Sequence, residues 1–260
     1  MVANATLMCH RGAREVSRDE LARVPCPPAE GRWRPVPHAD VLTHAEQSLC
    51  DAGYVVERAS LALSRDSARF FGTLTLRTPL TDGVNLAVGL RSSTDKSISL
   101  QWCCGSRVFV CDNLAFSAQT VIARKHTTHG IDRYHEAISR VVADLGDYRE
   151  YEAFRIREMR RRELTDEQAE SALLRAFEVG IIGPHALPVA IDQWRKPSFP
   201  EFAEGKTSWR LYNALTFALG KRAKINPQAH AHATIRVGAL VLPDTSGDRR
   251  LPVQSEVIQA

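Results

Sequence analysis

From Val84 onward the chain alternates. Leu86, Val88 and Leu90 recur at every second position and run into Arg91. Ser92-Ser93-Thr94-Asp95-Lys96 interrupts the run with turn formers, and Ile98, Leu100 and Trp102 resume it. Val108, Phe109 and Val110 make a third run after Cys104-Gly105-Ser106, with Asp112-Asn113 ending it. Period-two patterning between turn signals predicts half-buried strands. Upstream, Ala59, Leu61 and Leu63, then Phe71, Thr73 and Thr75, predict a hairpin over 54–77 with its turn near Arg65-Asp66-Ser67. The links are too short for helical crossovers, so these strands, about five, form an antiparallel meander.

Helical spacing brackets this sheet. Val41, Ala45 and Leu49 lie four apart and predict a helix from His38 to Ala52, stopped by Gly53. Ile131, Tyr134, Ile138, Val141, Leu145 and Tyr148 predict one long helix, extended by Phe154, Ile156 and Met159 to about residue 163. At ~1.5 Å per residue it spans roughly 45 Å, more than one sheet face needs. Its surplus carries Arg155, Arg157, Arg160, Arg161 and Arg162 among glutamates, which predicts a solvated helix with intrahelical ion pairs or a phosphate- or subunit-facing surface. Thr165 and Gln168 fit a capping box for a helix over 166–179. Residues 184–205 read as irregular, with Trp194, Phe199 and Phe202 as a cover. Thr207 caps a helix bearing Trp209, Tyr212, Leu215 and Leu219. Ile235, Val237, Ala239 and Val241 alternate and predict a late strand.

The fold class is therefore α+β: an antiparallel meander of about five strands packed by a long helix, with a C-terminal helical portion. Pro25, Pro27, Pro28, Pro35 and Pro37 mark residues 1–37 as an extended arm, anchored by Trp33. A single α+β domain covers 38–242, with the sheet core at 38–130 and the helical part at 131–225. Residues 243–260 read as a polar tail.

Composition narrows the function classes. The 260 residues contain no run of eighteen apolar positions, and the first twenty lack a signal-peptide apolar region, so a cytoplasmic protein away from membranes is expected. Cys9, Cys26, Cys50, Cys103, Cys104 and Cys111 form no CxxC pair and no zinc framework, which predicts reduced thiols. There is no G-x-S-x-G, no P-loop and no Gly-rich dinucleotide turn, so no cofactor is expected and nothing requires an enzyme. The net charge of +4 is unevenly spread. No acid occurs between Glu204 and Asp244, where Lys206, Arg210, Lys221, Arg222, Lys224 and Arg236 lie, nor between Asp112 and Asp132, where Arg124, Lys125, His126 and His129 lie. Acid-free basic intervals suit polyanions.

Three stretches carry a resemblance. Gly89-Leu90-Arg91-Ser92-Ser93-Thr94-Asp95-Lys96-Ser97, then Arg107 to Leu114, then Trp209-Arg210-Leu211-Tyr212-Asn213-Ala214-Leu215-Thr216, resemble in order the uncharacterised phage/plasmid-like protein family, a domain of unknown function on phages and mobile elements. Lys96 stands where the family usually has Gly, and Ser92 where it has Asn. The resemblance implies a mobile-element context and no established activity. A meander crossed by a long helix is also similar in topology to the phage single-strand annealing recombinases, which are basic oligomers without catalysis.

Together these features predict a non-enzymatic protein that binds single-stranded DNA or RNA, promotes annealing or recombination, and forms homo-oligomers. The residues expected to meet nucleic acid are Arg91, Lys96, Trp102, Arg107, Arg124, Lys125, Arg155 and Arg210, with Trp102 stacking a base and the cations neutralising phosphates. Core packing is the competing role for Trp102. Two further classes stand beside this one. A protein-binding factor of a mobile element, regulatory or counter-defence, would bind a protein partner and no nucleic acid. An enzyme acting on nucleic acid would use His126, His129, Asp132 or His135.

Overall fold

A computed structural model describes residues 13–108, 114–115, 121–198, 202–203, 205–223 and 227–242. Its centre is one antiparallel sheet: β1 (Arg14–Glu15), β2 (Val56–Leu63), β3 (Arg69–Thr81), β4 (Val84–Ser93), β5 (Leu100–Val108), β6 (Leu114–Ala115) and β7 (Val121–Arg124). The order is β1-β2-β3-β4-β5-β6, and β7 shares the β5 edge with β6. Each long strand pairs with its neighbour in sequence, as the alternation predicts.

The register sorts residues onto two faces, because directly paired residues point the same way. Leu63 pairs with Phe70, Ala59 with Leu74, Leu90 with Trp102, and Trp102 with Ile122. Their face is the apolar one, and its large residues are buried in a single core. Against it lie α2 (His38–Asp51), α3 (Thr128–Ala143) and α4 (Leu145–Arg161), which touch β2 and β4, β7, and β3 respectively. The His38 ring lies 5.6 Å from that of Phe70. The second face carries Ser60, Thr73, Thr75, Ala87, Gly89 and Cys103, with Phe71, Arg91 and Gln101 toward one end.

The rest is helical: α5 (Asp166–Glu178), α6 (Leu187–Arg195), α7 (Ser208–Ala223) and α8 (Pro227–Val241). The Thr165–Gln168 capping box forms with both of its reciprocal bonds, and Thr207 accepts from the Arg210 amide at 3.3 Å.

Several local patterns resolve differently from the sequence reading. The arm is not wholly extended: Ser17 and Glu20 form a capping box for α1 (Arg18–Ala22), whose Leu21 is buried. Cys104-Gly105-Ser106 do not break β5, since they pair continuously with Val88, Ala87 and Leu86. Residues 117–130 are not all linker, because 121–124 join the sheet and α3 begins at Thr128. The long helix is interrupted at Asp144, which caps α3 and precedes α4. Both pieces can then follow a twisted sheet that one straight rod would overshoot. Residues 187–195 form α6 rather than irregular chain.

Residues 227–241 form α8, not a strand. Ala233, Val237 and Val241 are buried, a spacing of four that the apparent alternation concealed. Residues 1–12, Phe109 to Asn113, Phe199 and the tail at 243–260 lie outside the described residues. Among the described residues no helix is long and apolar enough to cross a membrane.

Candidate nucleic-acid interface

The GLRSSTDKS segment ends β4 and makes the turn into β5. Its polar residues are mostly occupied in holding that turn. Ser93 Oγ accepts from the Ile98 amide at 2.9 Å and donates to the Ile98 carbonyl at 3.1 Å. The Asp95 carboxylate accepts from the Ser97 amide at 2.9 Å, from the Ser97 hydroxyl, and from Arg69 Nε at 3.0 Å. Burial pushes the Asp95 carboxyl up, but the two Ser97 bonds, the Ser93 hydroxyl and the Arg69 charge together outweigh it and hold the group at about 2. The Thr94 amide donates to the Ala68 carbonyl at 2.8 Å, tying this turn to the β2–β3 turn beside it. Lys96 has a positive φ of 65°, a conformation that costs a side-chain-bearing residue energy and suits glycine.

Arg91 is the member of the segment that this network does not use. It stands on the second face of the sheet between Phe71 on β3 and Gln101 on β5. Its guanidinium carbon lies 5.3 Å from the centre of the Phe71 ring. Its Nε is buried and makes no hydrogen bond. No carboxylate pairs with it among the described residues, and Arg69 is the charged group that acts on it. Burial first, and then the positive charge of Arg69, lower its proton affinity. A half-buried cation without a counter-ion is costly to keep, which makes Arg91 the candidate for contact with an anion.

The other predicted contacts divide sharply. Trp102 is 0 % exposed in the core, so it cannot stack a base; it faces the helices, opposite to Arg91's neighbour Gln101. Arg155 is not at a surface. It is 13 % exposed, donates to the 2 % exposed Glu152 at 2.9 Å, and braces α4 where α8 approaches closely. A Cβ added to Gly238 would meet its Nη2 at 2.1 Å.

Arg210 is buried too. Its Nε donates to the Trp194 carbonyl at 2.8 Å and its Nη2 to the Arg195 carbonyl at 3.1 Å, which closes the C-terminus of α6. Lys96 is exposed but ion-paired with Glu30, and its ammonium lies 4.9 Å from the Trp33 ring centre. Arg107 is placed on β5 opposite Asn85; its side chain lies outside the described residues. Arg124 sits on β7, where its Nη1 donates to the Ala123 carbonyl at 3.0 Å. Lys125 is exposed immediately after it.

The arginine-rich end of α4 is mixed: Arg157 and Arg161 are exposed and Arg161 pairs with Glu158 at 3.4 Å, as a solvated helix with intrahelical ion pairs predicts, while other arginines are tied to the fold. Arg160 donates to the Asp82 carbonyl at 2.9 Å and covers Trp209, and Arg162 donates to the Val241 carbonyl at 3.3 Å. Arg160 thus ties the helical half to the sheet, and Arg162 ties the end of α4 to α8.

The structure therefore gathers Arg91, Lys96 and Lys125 near the turn end of the sheet and removes Trp102, Arg155 and Arg210 from any surface role. Phe71 and Arg69 join them there. Their signal in the sequence was positional: Arg69 and Phe71 alternate on the strand that pairs with the Arg91 strand.

The four residues of the enzymatic alternative do not converge. His126 is buried, with neither ring nitrogen in a well-formed hydrogen bond, and burial lowers its proton affinity. His135 stacks on His44 of α2, ring centres 3.6 Å apart, while His129 and Asp132 are exposed on α3. Among the described residues no group of three or more His, Cys, Asp or Glu side chains is placed to hold a metal ion. No protein-family model, no curated protein and no solved structure matches the chain.

Proposed function

We propose that the protein binds nucleic acid, single strands in particular, at the turn end of the second sheet face, with Arg91 as the phosphate anchor. One observation carries this: Arg91 is a half-buried guanidinium, without a paired carboxylate among the described residues, beside a second arginine. Arg69 has its own carboxylate in Asp95, and Lys96 has Glu30, so the local excess is one positive charge at Arg91. A phosphodiester supplies one negative charge. The basic loop at Lys125 lies on the strand-edge side of the same end, where a backbone would continue. The resemblance of the GLRSSTDKS segment gives only a mobile-element context, within which annealing or recombination of single strands by an oligomer is the activity we propose.

Fluorescence anisotropy with labelled single-stranded and duplex oligonucleotides, across a salt series, tests this. Affinity for single strands should fall by about 0.7 log units per log unit of salt for each phosphate contacted. Arg91→Leu should weaken binding about tenfold or more, the cost of one charge-assisted contact. Salt-independent binding, or full affinity in Arg91→Leu, would contradict the assignment.

A further inference from the structure

We infer that Phe71 and Arg91 together form a platform on which one unpaired nucleobase stacks, so that the protein holds strands by a base as well as by phosphate. This rests on the phosphate site proposed above. The register places Glu15, Ala62, Phe71, Arg91, Gln101 and Ala123 side by side across six adjacent strands on one face. Alanine at each flank leaves the aromatic ring, the guanidinium and the amide as the tall central features of that row. In the next row, Ser60, Thr73 and Gly89 are short and closed off from solvent, whereas Phe71, Arg91 and Gln101 are half-exposed. The row is thus the margin at which a ligand meets this face.

The chemistry of the three side chains fits one nucleotide unit. The guanidinium lies 5.3 Å from the Phe71 ring centre, a cation–π arrangement that holds the cation in place. Bases in single strands stack on aromatic rings and on arginine planes alike. With Nε buried, the terminal Nη groups of Arg91 are left for a phosphate. Gln101 commits one amide hydrogen to Ser99 Oγ at 3.1 Å, which leaves its carbonyl oxygen and a second N–H for a base edge. Every base offers adjacent donor and acceptor atoms to such an amide. The site should therefore depend strongly on having a base and weakly on which one. Other rings serve less well. Trp102 is in the core, and the Lys96 ammonium already occupies Trp33.

The test compares an oligothymidylate of about twenty residues with an abasic strand of equal length, and uses inorganic polyphosphate as competitor. Loss of one stacked base should weaken binding roughly five- to 150-fold. Phe71→Leu should bring the thymidylate down to the abasic level without changing the slope of affinity against salt, and Phe71→Tyr should restore the difference. Thermal unfolding of each variant confirms that it is folded, and the wild-type comparison of the two strands decides the matter even if Phe71→Leu is not. Equal affinity of wild type for both strands, or a base-dependent advantage that persists in folded Phe71→Leu, overturns the platform while leaving the phosphate site standing. No binding of either strand at low salt overturns both.

Discussion

Arginines that are buried or half-buried occur in both halves of the molecule, and their surroundings differ. In the helical half, Arg155 faces Glu152, and Arg210 caps α6 through two backbone carbonyls. At the sheet end, Arg91 meets an aromatic ring and a like charge. Burial with partners identifies a brace. Arg91 has no paired carboxylate among the described residues, and the binding proposal rests on that difference. Arginine content alone pointed to both halves equally; the partner list separates them.

That contrast can be broken by substitution. The largest effect belongs to the helical brace. Glu152→Ala should cost about 3–5 kcal/mol, because it leaves Arg155 charged and buried. Chemical denaturation would register the loss, with nucleic-acid affinity per folded molecule unchanged. Lowering the pH should come next. Burial lowers the proton affinities of His38, His44 and His126 below the ordinary 6.5. Their neutral forms therefore stabilise the fold fully above pH 6.5, and that contribution declines as the pH falls below it.

Asp95, held at about 2 against an ordinary 3.8, adds a second decline between those values. Denaturation midpoints measured from neutral to acid pH should show both phases, and Asp95→Asn should shrink the lower one. At Arg91 the sign should reverse: Arg91→Leu removes a half-buried charge without a paired carboxylate and should leave stability unchanged or slightly higher, while binding falls. A loss above about 2 kcal/mol there would make Arg91 a brace like Arg155 and erase the distinction. The smallest effect is at the surface, where Lys96→Ala breaks an exposed pair with Glu30 and should cost under about 1 kcal/mol.

Much of the sheet was legible because antiparallel strands with one apolar face announce themselves by alternation. The turn at Arg65-Asp66-Ser67 and the Thr165 cap were legible for the same kind of reason, being local chemistry. What escaped depended on contacts distant in sequence. The break at Asp144 has no proline to mark it, and Gly146 beside it lies within helical spacing, inside the first turn of α4. In α8, Val237 and Val241 satisfy both a period of two and a spacing of four, and only the helices packed against them decide between the two.

The site was half legible. Arg91 could be picked out as a cation ending an apolar strand. Its partner Phe71 required the register, and the burial of Arg155 and Arg210 is invisible in residue type, because arginine carries the same charge whether it braces or binds.

The sheet pairs its long strands in the order in which they are synthesised, and α2 precedes all of them. A chain emerging from the ribosome through β5 already holds Val41, Leu42, Ala45 and Leu49 to lay against Leu63, Phe70, Leu74 and Leu90. The first half of the core can therefore close before α4 to α8 have been translated, with only short loops to order. The helical half then docks onto a finished template, and its buried arginines are set in place last.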